Sequence, residues 1–400
     1  MQMFARALLP VALISVLAAP ALAAGCHKEA TFDAWLDGVR AEARADGISQ
    51  GAINAALSGV SFDPAIVKKD HGQGVFTQDF LQFSGRMVNS DRLTAGRGNM
   101  ARLKSTFARI EQQFGVPAPV LTAFWGLETD FGSFNGDGPT LTSLATLGYD
   151  CRRPDLFRTQ LLFAMKIIDR GDLSAGQMRG PWAGELGQLQ FIPQRYFTYG
   201  VDFDGDGRVN MLTSSADALA SGANYLKSIG WHGGEPWLQE VRVPATLPWD
   251  QADLSIKLPL TQWATWGVTQ ADGKPLAATG PDASLLLPMG RNGPAFLAYP
   301  NFDVYLIWNN SLVYSTTAAY FATRLAGAGP VAHGTGAEPI AAADVREIQK
   351  LLAARGYDVG TIDGVIGQST RAAVKDVQIK LGLPADSYPS EDLLAKLRAG

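Results

Sequence analysis

Several residue types on which common protein classes depend are scarce in this sequence. Its 400 residues contain two cysteines and four histidines, and the histidines are scattered along the chain. This scarcity argues against a zinc site built from clustered cysteine and histidine. Charged residues make up 18%, the formal net charge is -4, and no long basic run occurs. A nucleic-acid partner is therefore not expected.

Long apolar runs are also lacking, apart from one near the N-terminus. Arg6 precedes an apolar stretch from Ala7 to Ala19, and Ala21-Leu22-Ala23 follows as a small-residue cleavage site. This pattern predicts an export signal over residues 1–24. The stretch is too short for a permanent membrane anchor, and no later stretch is long enough.

The two cysteines, Cys26 and Cys151, allow two interpretations. In an exported protein an even pair favours a disulfide, here between Cys26 and Cys151. Alternatively, Ala23-Ala24-Gly25 before Cys26 resembles a bacterial lipoprotein signal, in which an acylated Cys26 would attach the chain to the membrane surface. We therefore expect a periplasmic protein, with a lipoprotein anchored through Cys26 as the alternative.

The length allows two or three domains, and a hydrophobic content of 46% is enough to build a sizeable core. Helical spacing dominates most of the first 230 residues, whereas residues 60–76 are predicted to be extended with loops. From Val241 to Tyr299, short runs such as 254–258 and 284–288 lie between Gly, Pro and Asp turns, which predicts a small β subdomain.

A stretch rich in Gly, Ala and Pro, from Gly327 to Pro339, is typical of a flexible linker. Three helices are predicted after it, and a three-helix domain of this size can fold alone. We therefore assign a main domain to residues 27–327, a linker to 328–341 and a C-terminal domain to 342–400.

The most informative stretch of the main domain surrounds Glu128. Leu121, Phe124, Leu127 and Phe131 recur at helical spacing, and Glu128 lies on the same apolar stripe. A carboxylate there must be paired or have its pKa shifted toward the protonated form. A carboxylic acid that is protonated near neutral pH can act as a general acid. A structural alternative is that Glu128 ends a core helix and pairs with an arginine.

An acidic loop at residues 202–207, with the sequence Asp-Phe-Asp-Gly-Asp-Gly, matches the first half of a calcium loop. The candidate ligands are Asp202, Asp204, Asp206, Arg208 and Asn210. The twelfth position, where a bidentate glutamate is expected, is Thr213. Both a weakened Ca²⁺ site and a merely solvated acidic turn remain open.

Three motifs in order resemble the membrane-bound lytic murein transglycosylase B family. They are Trp125-Gly-Leu-Glu-Thr-Asp-Phe-Gly132, Gly184-Glu-Leu-Gly-Gln-Leu-Gln-Phe-Ile-Pro193 and the acidic loop, and Asn309-Asn310-Ser311 also fits. The resemblance covers about residues 32–327. The tail, from Asp344 to Leu397, resembles the peptidoglycan-binding domain 1 family, through residues such as Ile348-Gln349, Gly356-Tyr357 and Ile362-Asp363-Gly364.

The resemblance implies an α+β fold that is mainly α: a lysozyme-like catalytic domain with a small β subdomain, followed by a three-helix bundle. It also implies cleavage of the bond between N-acetylmuramic acid and N-acetylglucosamine in peptidoglycan, with formation of a 1,6-anhydro ring instead of addition of water. Glu128 matches the single catalytic acid and base of that family. No cofactor is required, and Thr213 puts the bound metal of the family in doubt.

The resemblance further implies a set of substrate-binding residues. Gln190 matches the floor of the cleft, and the positions that match its lining are Phe83, Tyr225, Trp308, Asn309 and Tyr314. Three positions depart from the family pattern: Trp308 and Phe83 stand where tyrosine is usual or common, and Pro181 where serine is frequent. Ordinary core packing is the alternative role for the cleft-lining aromatic residues.

Three functions are compatible with these features. The first is an exported lytic transglycosylase, expected to be a monomer that acts on peptidoglycan strands. The second is a muramidase that hydrolyses the same bond with water. The third is an inactive scaffold that binds the cell wall, and the presence of Glu128 on its apolar helix argues against it.

Overall fold

The computed structural model describes residues 29, 31–72, 78–336 and 339–399. The predicted export signal and Cys26 lie outside the described residues, so export, lipidation and the pairing of Cys26 with Cys151 stay predictions. None of the helices within the described ranges combines the length and hydropathy needed to cross a bilayer.

The fold is mainly helical, as predicted. The α-helices are α1 Phe32–Ala45, α2 Gln50–Leu57, α3 Pro64–His71, α4 Phe80–Met87, α5 Ser90–Arg102, α6 Lys104–Phe114, α7 Ala118–Thr129, α8 Thr140–Tyr149, α9 Pro154–Arg170, α10 Pro193–Tyr199, α11 Ser215–Ser228, α12 Leu260–Thr265, α13 Pro300–Trp308, α14 Leu312–Leu325, α15 Ala342–Ala353, α16 Gln368–Lys380 and α17 Glu391–Ala399. Two single turns of 3₁₀ helix cover Ala175–Gln177 and Trp249–Gln251.

The described strands form two small antiparallel sheets. They are β1 Gly138–Pro139, β2 Arg179–Gly180, β3 Leu238–Arg242, β4 Thr269–Gln270, β5 Ser284–Leu286 and β6 Ala295–Ala298. Strands β1 and β2 pair with each other, and the second sheet has the order β4-β3-β6-β5. In its register Leu238 and Ser284 both lie opposite Ala298.

The four-stranded sheet confirms the predicted β subdomain and separates two hydrophobic cores. Successive strand residues point to opposite faces. Leu297 and Leu285 therefore pack into the core of the subdomain, whereas Phe296 and Leu286 pack into the core of the main domain. The sheet thus fixes the subdomain rigidly to the helices.

The prediction of a strand over residues 254–258 is wrong. This segment forms turns, and within it only Leu258 makes a β-bridge, to Ala283. The carboxylate of Asp253 accepts hydrogen bonds from both the backbone N–H (2.9 Å) and the hydroxyl (2.7 Å) of Ser255. Such a local side-chain turn competes with strand pairing.

The prediction of an extended segment over residues 60–76 is also wrong, because α3 lies within it. The carboxylate of Asp63 caps this helix by accepting a hydrogen bond from the Ala65 N–H at 2.8 Å, and Pro64 occupies the first turn. At the other end Asp70, 1% exposed, pairs with Arg152 and Arg153. These contacts fix α3 beside the α8–α9 connection.

The C-terminal helices α15 to α17 enclose a core of their own, which includes Ile348, Val374 and Leu393. The domain docks on the β subdomain. The Arg371 guanidinium donates to the Leu287 carbonyl at 3.0 Å, and the Lys375 ammonium pairs with Asp253 at 2.8 Å.

In the described part of the segment between the two domains no helix or strand is present, as predicted, but this part is packed. The Val331 N–H donates to the Tyr320 hydroxyl at 3.1 Å, and the Ala332 N–H donates to the Glu240 carboxylate at 2.7 Å. The assigned domain boundaries themselves stay predictions.

Candidate active site

Helix α7 carries Glu128 in its last turn. Pro119 occupies the first turn, where its missing N–H needs no partner. Residues 120–126 are all buried, so the helix runs through the centre of the main core. Glu128 is half-buried, and its side chain reaches the end of the core that opens to the cleft described below.

The chain leaves α7 through a sharp turn directly after Glu128. Asp130 and Phe131 adopt left-handed backbone conformations, with φ of 52° and 61°. The Thr129 hydroxyl accepts a hydrogen bond from the Gly132 N–H at 2.9 Å and donates to the Gln188 carbonyl at 2.7 Å. Left-handed non-glycine residues cost free energy and concentrate at functional sites. Here they direct the chain away from Glu128 and leave its side chain accessible.

Among the described residues, two neutral side chains and no arginine form hydrogen bonds to the Glu128 carboxyl group. The indole N–H of Trp308 donates to Oε1 at 3.0 Å, and the hydroxyl of Tyr314 donates to the same oxygen at 2.5 Å. Burial raises the pKa of Glu128 above its ordinary value, and these two hydrogen bonds oppose that rise. The net shift is upward, which favours a protonated acid closer to neutral pH.

Glu128 lines a cleft of about 400 Å³. The residues around it come from α3 with its cap and from the segments next to the paired strands β1 and β2, and Gln190 lines the cleft together with Glu128. The lining residues besides these two are Asp63, Ile66, Lys69, Phe134, Gly136, Asp137, Gly138, Pro139, Ser143, Gly180, Pro181 and Trp182. Phe134 is 77% exposed, so it presents an aromatic ring to any molecule in the cleft.

Gln190 is held in place by its own turn. Its φ is 51°, and its side-chain amide donates to the Gly187 carbonyl at 2.8 Å. The turn is closed by a bridge between Leu186 and Phe191. The backbone of β2 approaches it so closely that a Cβ on Gly180 would lie 1.9 Å from the Glu185 carbonyl oxygen. The glycine-rich sequence therefore serves close backbone packing at this wall of the cleft.

An aromatic cluster supports Trp308 from behind. The Trp308 ring stacks on Phe124 with centroids 4.2 Å apart, and Phe191 and Tyr225 lie 5.5 and 5.6 Å away. Tyr225 is only 4% exposed, and the Arg195 guanidinium lies 4.6 Å from its ring centroid. The structure thus brings Trp308 and Tyr314 to Glu128 and places Tyr225 one layer further in.

The other two predicted lining residues, Asn309 and Phe83, are not among the residues that line the cleft with Glu128. The side-chain oxygen of Asn309 accepts a hydrogen bond from the Ser311 N–H at 2.9 Å, which shapes the turn between α13 and α14. Phe83 is half-buried on α4, with the Arg86 guanidinium 5.5 Å from its ring centroid. Substrate contacts by these residues and by Tyr225 stay predictions.

The acidic loop is organised around a residue that the sequence analysis missed. Asp217, 0% exposed, accepts hydrogen bonds from the backbone N–H groups of Phe203 (2.9 Å), Asp204 (3.3 Å) and Asn210 (2.8 Å). Carboxylate oxygens of Asp202, Asp204 and Asp217 lie within 4.8 Å of one another. Asp217 therefore adds a carboxylate to a loop whose twelfth position is Thr213.

Gln188 connects this loop to helix α7, which carries Glu128. Its backbone N–H donates to the Met211 carbonyl at 3.0 Å. Its side-chain oxygen accepts hydrogen bonds from the Trp125 indole at 2.9 Å and from the Ser215 hydroxyl at 3.0 Å. The cleft wall and the acidic loop consequently share one hydrogen-bond network.

Comparison with protein families identifies the main domain. A family model described as a transglycosylase SLT domain matches residues 31–323. The chain belongs to this family. A second model, for a peptidoglycan binding domain, matches residues 341–397. The resemblance predicted from the three motifs and the tail is thereby confirmed.

Individual relatives agree with this assignment. Membrane-bound lytic murein transglycosylase B of Escherichia coli K12 is 30% identical over 240 residues, which cover 59% of this chain and 64% of that protein. The match thus spans less than two thirds of the length of that relative.

Solved structures of transglycosylases have the same fold. SltB3 of Pseudomonas aeruginosa, in complex with NAG-anhNAM-pentapeptide, is 41% identical with a TM-score of 0.86 and covers 92% of this chain and 100% of its own. The Escherichia coli lytic transglycosylase SLT35, in complex with calcium, is 25% identical with a TM-score of 0.62 and covers 74% and 92%. The predicted lysozyme-like fold class is confirmed.

Several residues of the cleft and of the acidic loop were not predicted. Asp63 and Lys69 were missed because α3 was expected to be extended. Phe134 follows the conspicuous motif but has no spacing signal of its own. Asp217 is preceded by Ser214, whose side chain accepts its N–H at 3.2 Å, so the pair looks like an ordinary helix cap in the sequence.

Proposed function

We propose that this protein is a lytic transglycosylase that cleaves peptidoglycan between N-acetylmuramic acid and N-acetylglucosamine and forms a 1,6-anhydromuramoyl end. One observation carries the proposal: Glu128, an acid with a raised pKa, lines an open cleft in a chain of the transglycosylase SLT family. The complex of the relative SltB3 with NAG-anhNAM-pentapeptide supports this class of product.

In the proposed reaction Glu128 performs both proton transfers. As an acid it protonates the glycosidic oxygen while the bond to the anomeric carbon of muramic acid breaks. As a carboxylate it then takes the proton of the muramoyl 6-hydroxyl, whose oxygen closes on the anomeric carbon. No water is consumed, and the acetamido group of the substrate can assist, as in other substrate-assisted glycosidases.

Hydrolysis is the second candidate, because two further carboxylates line the cleft. Asp63 and Asp137 are both present there. The Asp63 carboxylate already caps α3, whereas Asp137 is exposed. A hydrolase would need one of them to activate water. The 6-hydroxyl mechanism needs neither, which is why we place it first.

The deciding experiment is mass spectrometry of muropeptides released from purified peptidoglycan. Products with 1,6-anhydro ends lack one water and resist borohydride reduction, and their release would support the transglycosylase. Reducible muramic ends would replace it with the hydrolase. Tight pelleting on cell-wall sacculi without release would favour the scaffold.

We also propose that the acidic loop binds Ca²⁺. The donor set fits a hard cation, since Asp202, Asp204, Asp206 and Asn210 supply oxygens and Asp217 adds a carboxylate close to two of them. At the position of Arg208 the ligand would be the backbone carbonyl. The calcium complex of the relative SLT35 supports this assignment.

The C-terminal domain is proposed to anchor the enzyme to peptidoglycan, in agreement with its family match. Deleting residues 344–400 should weaken binding to sacculi about tenfold or more, because anchoring adds effective concentration on a polymer. Cleavage of short soluble glycans should fall much less. Equal losses in both assays would contradict the anchoring role.

The location proposed for this activity is the periplasm, after removal of the export signal. A disulfide between Cys26 and Cys151 is proposed for the mature chain, with lipidation at Cys26 as the alternative. Mass spectrometry of the purified N-terminal peptide distinguishes them: a Cys26–Cys151 linkage supports the disulfide, and an acylated Cys26 supports the lipoprotein.

A further inference from the structure

We propose that Trp308 and Tyr314 are positioning residues that place the transferable proton of the catalytic acid on Oε2 of Glu128. The proposal rests on the function proposed above and names the oxygen that performs it. The sequence resemblance assigned both residues to substrate binding. In the structure their polar atoms face the catalytic carboxyl group.

Both hydrogen bonds end on the same oxygen. Trp308 Nε1 lies 3.0 Å from Glu128 Oε1 and the Tyr314 hydroxyl lies 2.5 Å from it. A carboxyl oxygen has two lone-pair sites, and two donors occupy both. Oε1 is therefore filled as an acceptor before substrate arrives.

The indole makes this arrangement one-directional. Its N–H is a donor only, whereas a tyrosine hydroxyl can donate or accept. Trp308 therefore occupies Oε1 as a donor in either protonation state. A proton on Oε1 could point only to Tyr314, whose hydroxyl would then have to accept, and no other hydrogen bond described for that hydroxyl would take its own proton. With both side chains donating to Oε1, as in the structure, the proton of the neutral acid lies on Oε2. The tyrosine usual at position 308 in the resembled family could donate or accept, so the fixed donor belongs to Trp308.

Oε2 is the oxygen left for substrate. Among the described residues no side chain or backbone group donates a hydrogen bond to it, whereas Glu128 as a residue lines the cleft. The glycosidic oxygen that receives the proton must come within about 3 Å of the donor atom. The free Oε2 meets this requirement, and the filled Oε1 does not.

Trp308 is fixed well enough to act as a positioning residue. It is 8% exposed and stacks on Phe124 with ring centroids 4.2 Å apart. Phe124 lies one turn before Glu128 on α7, so the same helix holds both the acid and the ring on which the indole stacks. Side chains locked by packing hold a catalytic group in its productive geometry.

The same contacts serve the second half of the reaction. When Oε2 gives its proton to the glycosidic oxygen and the C1–O4 bond breaks, Glu128 becomes a carboxylate. Both donors remain on Oε1 and stabilise that charge. Oε2 then takes the proton of the 6-hydroxyl as the O6–C1 bond forms, which restores the neutral acid without water.

The test is the pH profile of kcat/KM on soluble glycans of defined length. The protein used is the full chain without the predicted export signal, residues 1–24. Trp308→Phe removes the N–H and keeps an aromatic ring. Loss of a donor to the carboxylate favours the protonated form of Glu128. The pH above which kcat/KM falls, here called the alkaline limb of the profile, should therefore rise by about one unit. Tyr314→Phe should move it in the same direction, and it removes only one oxygen if Trp308→Phe does not fold.

Tyr305→Phe is the matched control. Its ring lies in the same cluster, 4.9 Å from Phe124, and its buried hydroxyl has no hydrogen-bond partner among the described residues. This variant should leave the limb in place. A lower rate with an unmoved limb in both donor variants, or an equal shift in Tyr305→Phe, would overturn the positioning role.

The test of the positioning role can fail independently of the test of the proposed function. Release of 1,6-anhydro products by the wild type tests the function and does not depend on the limb. Anhydro products with no shift in either donor variant would reject the inference alone. Reducible products would reject the proposed function, whatever the shift.

Discussion

Two carboxylates of this molecule are enclosed in opposite ways. Asp217 is 0% exposed and accepts hydrogen bonds from three backbone N–H groups of the acidic loop. Glu128 is half-buried against aromatic rings, and its two donors are the side chains of Trp308 and Tyr314 on a single oxygen. One carboxylate is surrounded by the backbone that it organises, and the other by side chains that leave one oxygen free.

The difference explains why only one of them is suited to proton transfer. The oxygens of Asp217 are both occupied by backbone donors, so this carboxylate is committed to holding the loop. Glu128 has few donors and an apolar surrounding, so burial raises its pKa. The number and origin of the donors therefore distinguish the structural carboxylate from the proposed catalytic one.

The strongest test of this comparison is Glu128→Gln. The amide cannot exchange a proton, so turnover of peptidoglycan should fall by about 10³-fold or more. The free energy of unfolding and the binding to sacculi should hardly change, because the amide oxygen can still accept both donors. Release assays, urea unfolding and pelleting measure the three quantities. Full activity of this variant would sink the assignment of Glu128.

Asp217→Asn should show the reverse pattern. The amide NH₂ replaces one acceptor and faces backbone N–H groups, so the free energy of unfolding should fall by about 2–4 kcal/mol. Urea unfolding in EDTA measures it without any bound cation. Asp206→Asn is the control, because this exposed residue should change stability by less than about 0.5 kcal/mol. The contrast between Glu128 and Asp217 fails if Asp217→Asn is as stable as that control.

The sequence allowed the prediction of Glu128 on a buried helix face but not of the side chains that surround it. Helical spacing placed Glu128 on a buried stripe, because the distance between neighbours on one helix is set locally. Its two donors are 180 and 186 residues away, and no local pattern reports such contacts. They were predicted only as cleft-lining positions, through the family resemblance.

The missed elements have a similar cause. Helix α3 has weak spacing, and it depends on the cap by Asp63 and on the pairing of Asp70 with Arg152 and Arg153. Residues 254–258 alternate like a strand, but a turn around Asp253 takes their hydrogen bonds. In both cases side-chain contacts override a pattern that is read from neighbours alone.

Calcium should stabilise the acidic loop that Asp217 holds, and it is not expected to bind Glu128. If the loop binds Ca²⁺, a concentration 100 times the Kd should raise the free energy of unfolding by about 2.7 kcal/mol relative to EDTA. Asp202→Asn should abolish most of this gain. Urea unfolding with and without CaCl₂ measures both. Identical curves for the wild type would remove Ca²⁺ from the proposal.

The smallest expected effect extends the comparison to ion pairs. Lys375 and Asp253, with side chains 14% and 26% exposed, join the C-terminal domain to the β subdomain at 2.8 Å. Lys375→Ala should lower the free energy of unfolding by up to about 1 kcal/mol, because partial burial limits screening by solvent.

Lys274 pairs with Asp272 at 2.6 Å, but both side chains are at least half exposed. Lys274→Ala removes the same charge and should produce no measurable change in urea unfolding. If the two variants behave alike, burial does not determine what a carboxylate and its partner contribute in this protein, and the contrast drawn between Glu128 and Asp217 loses its physical basis.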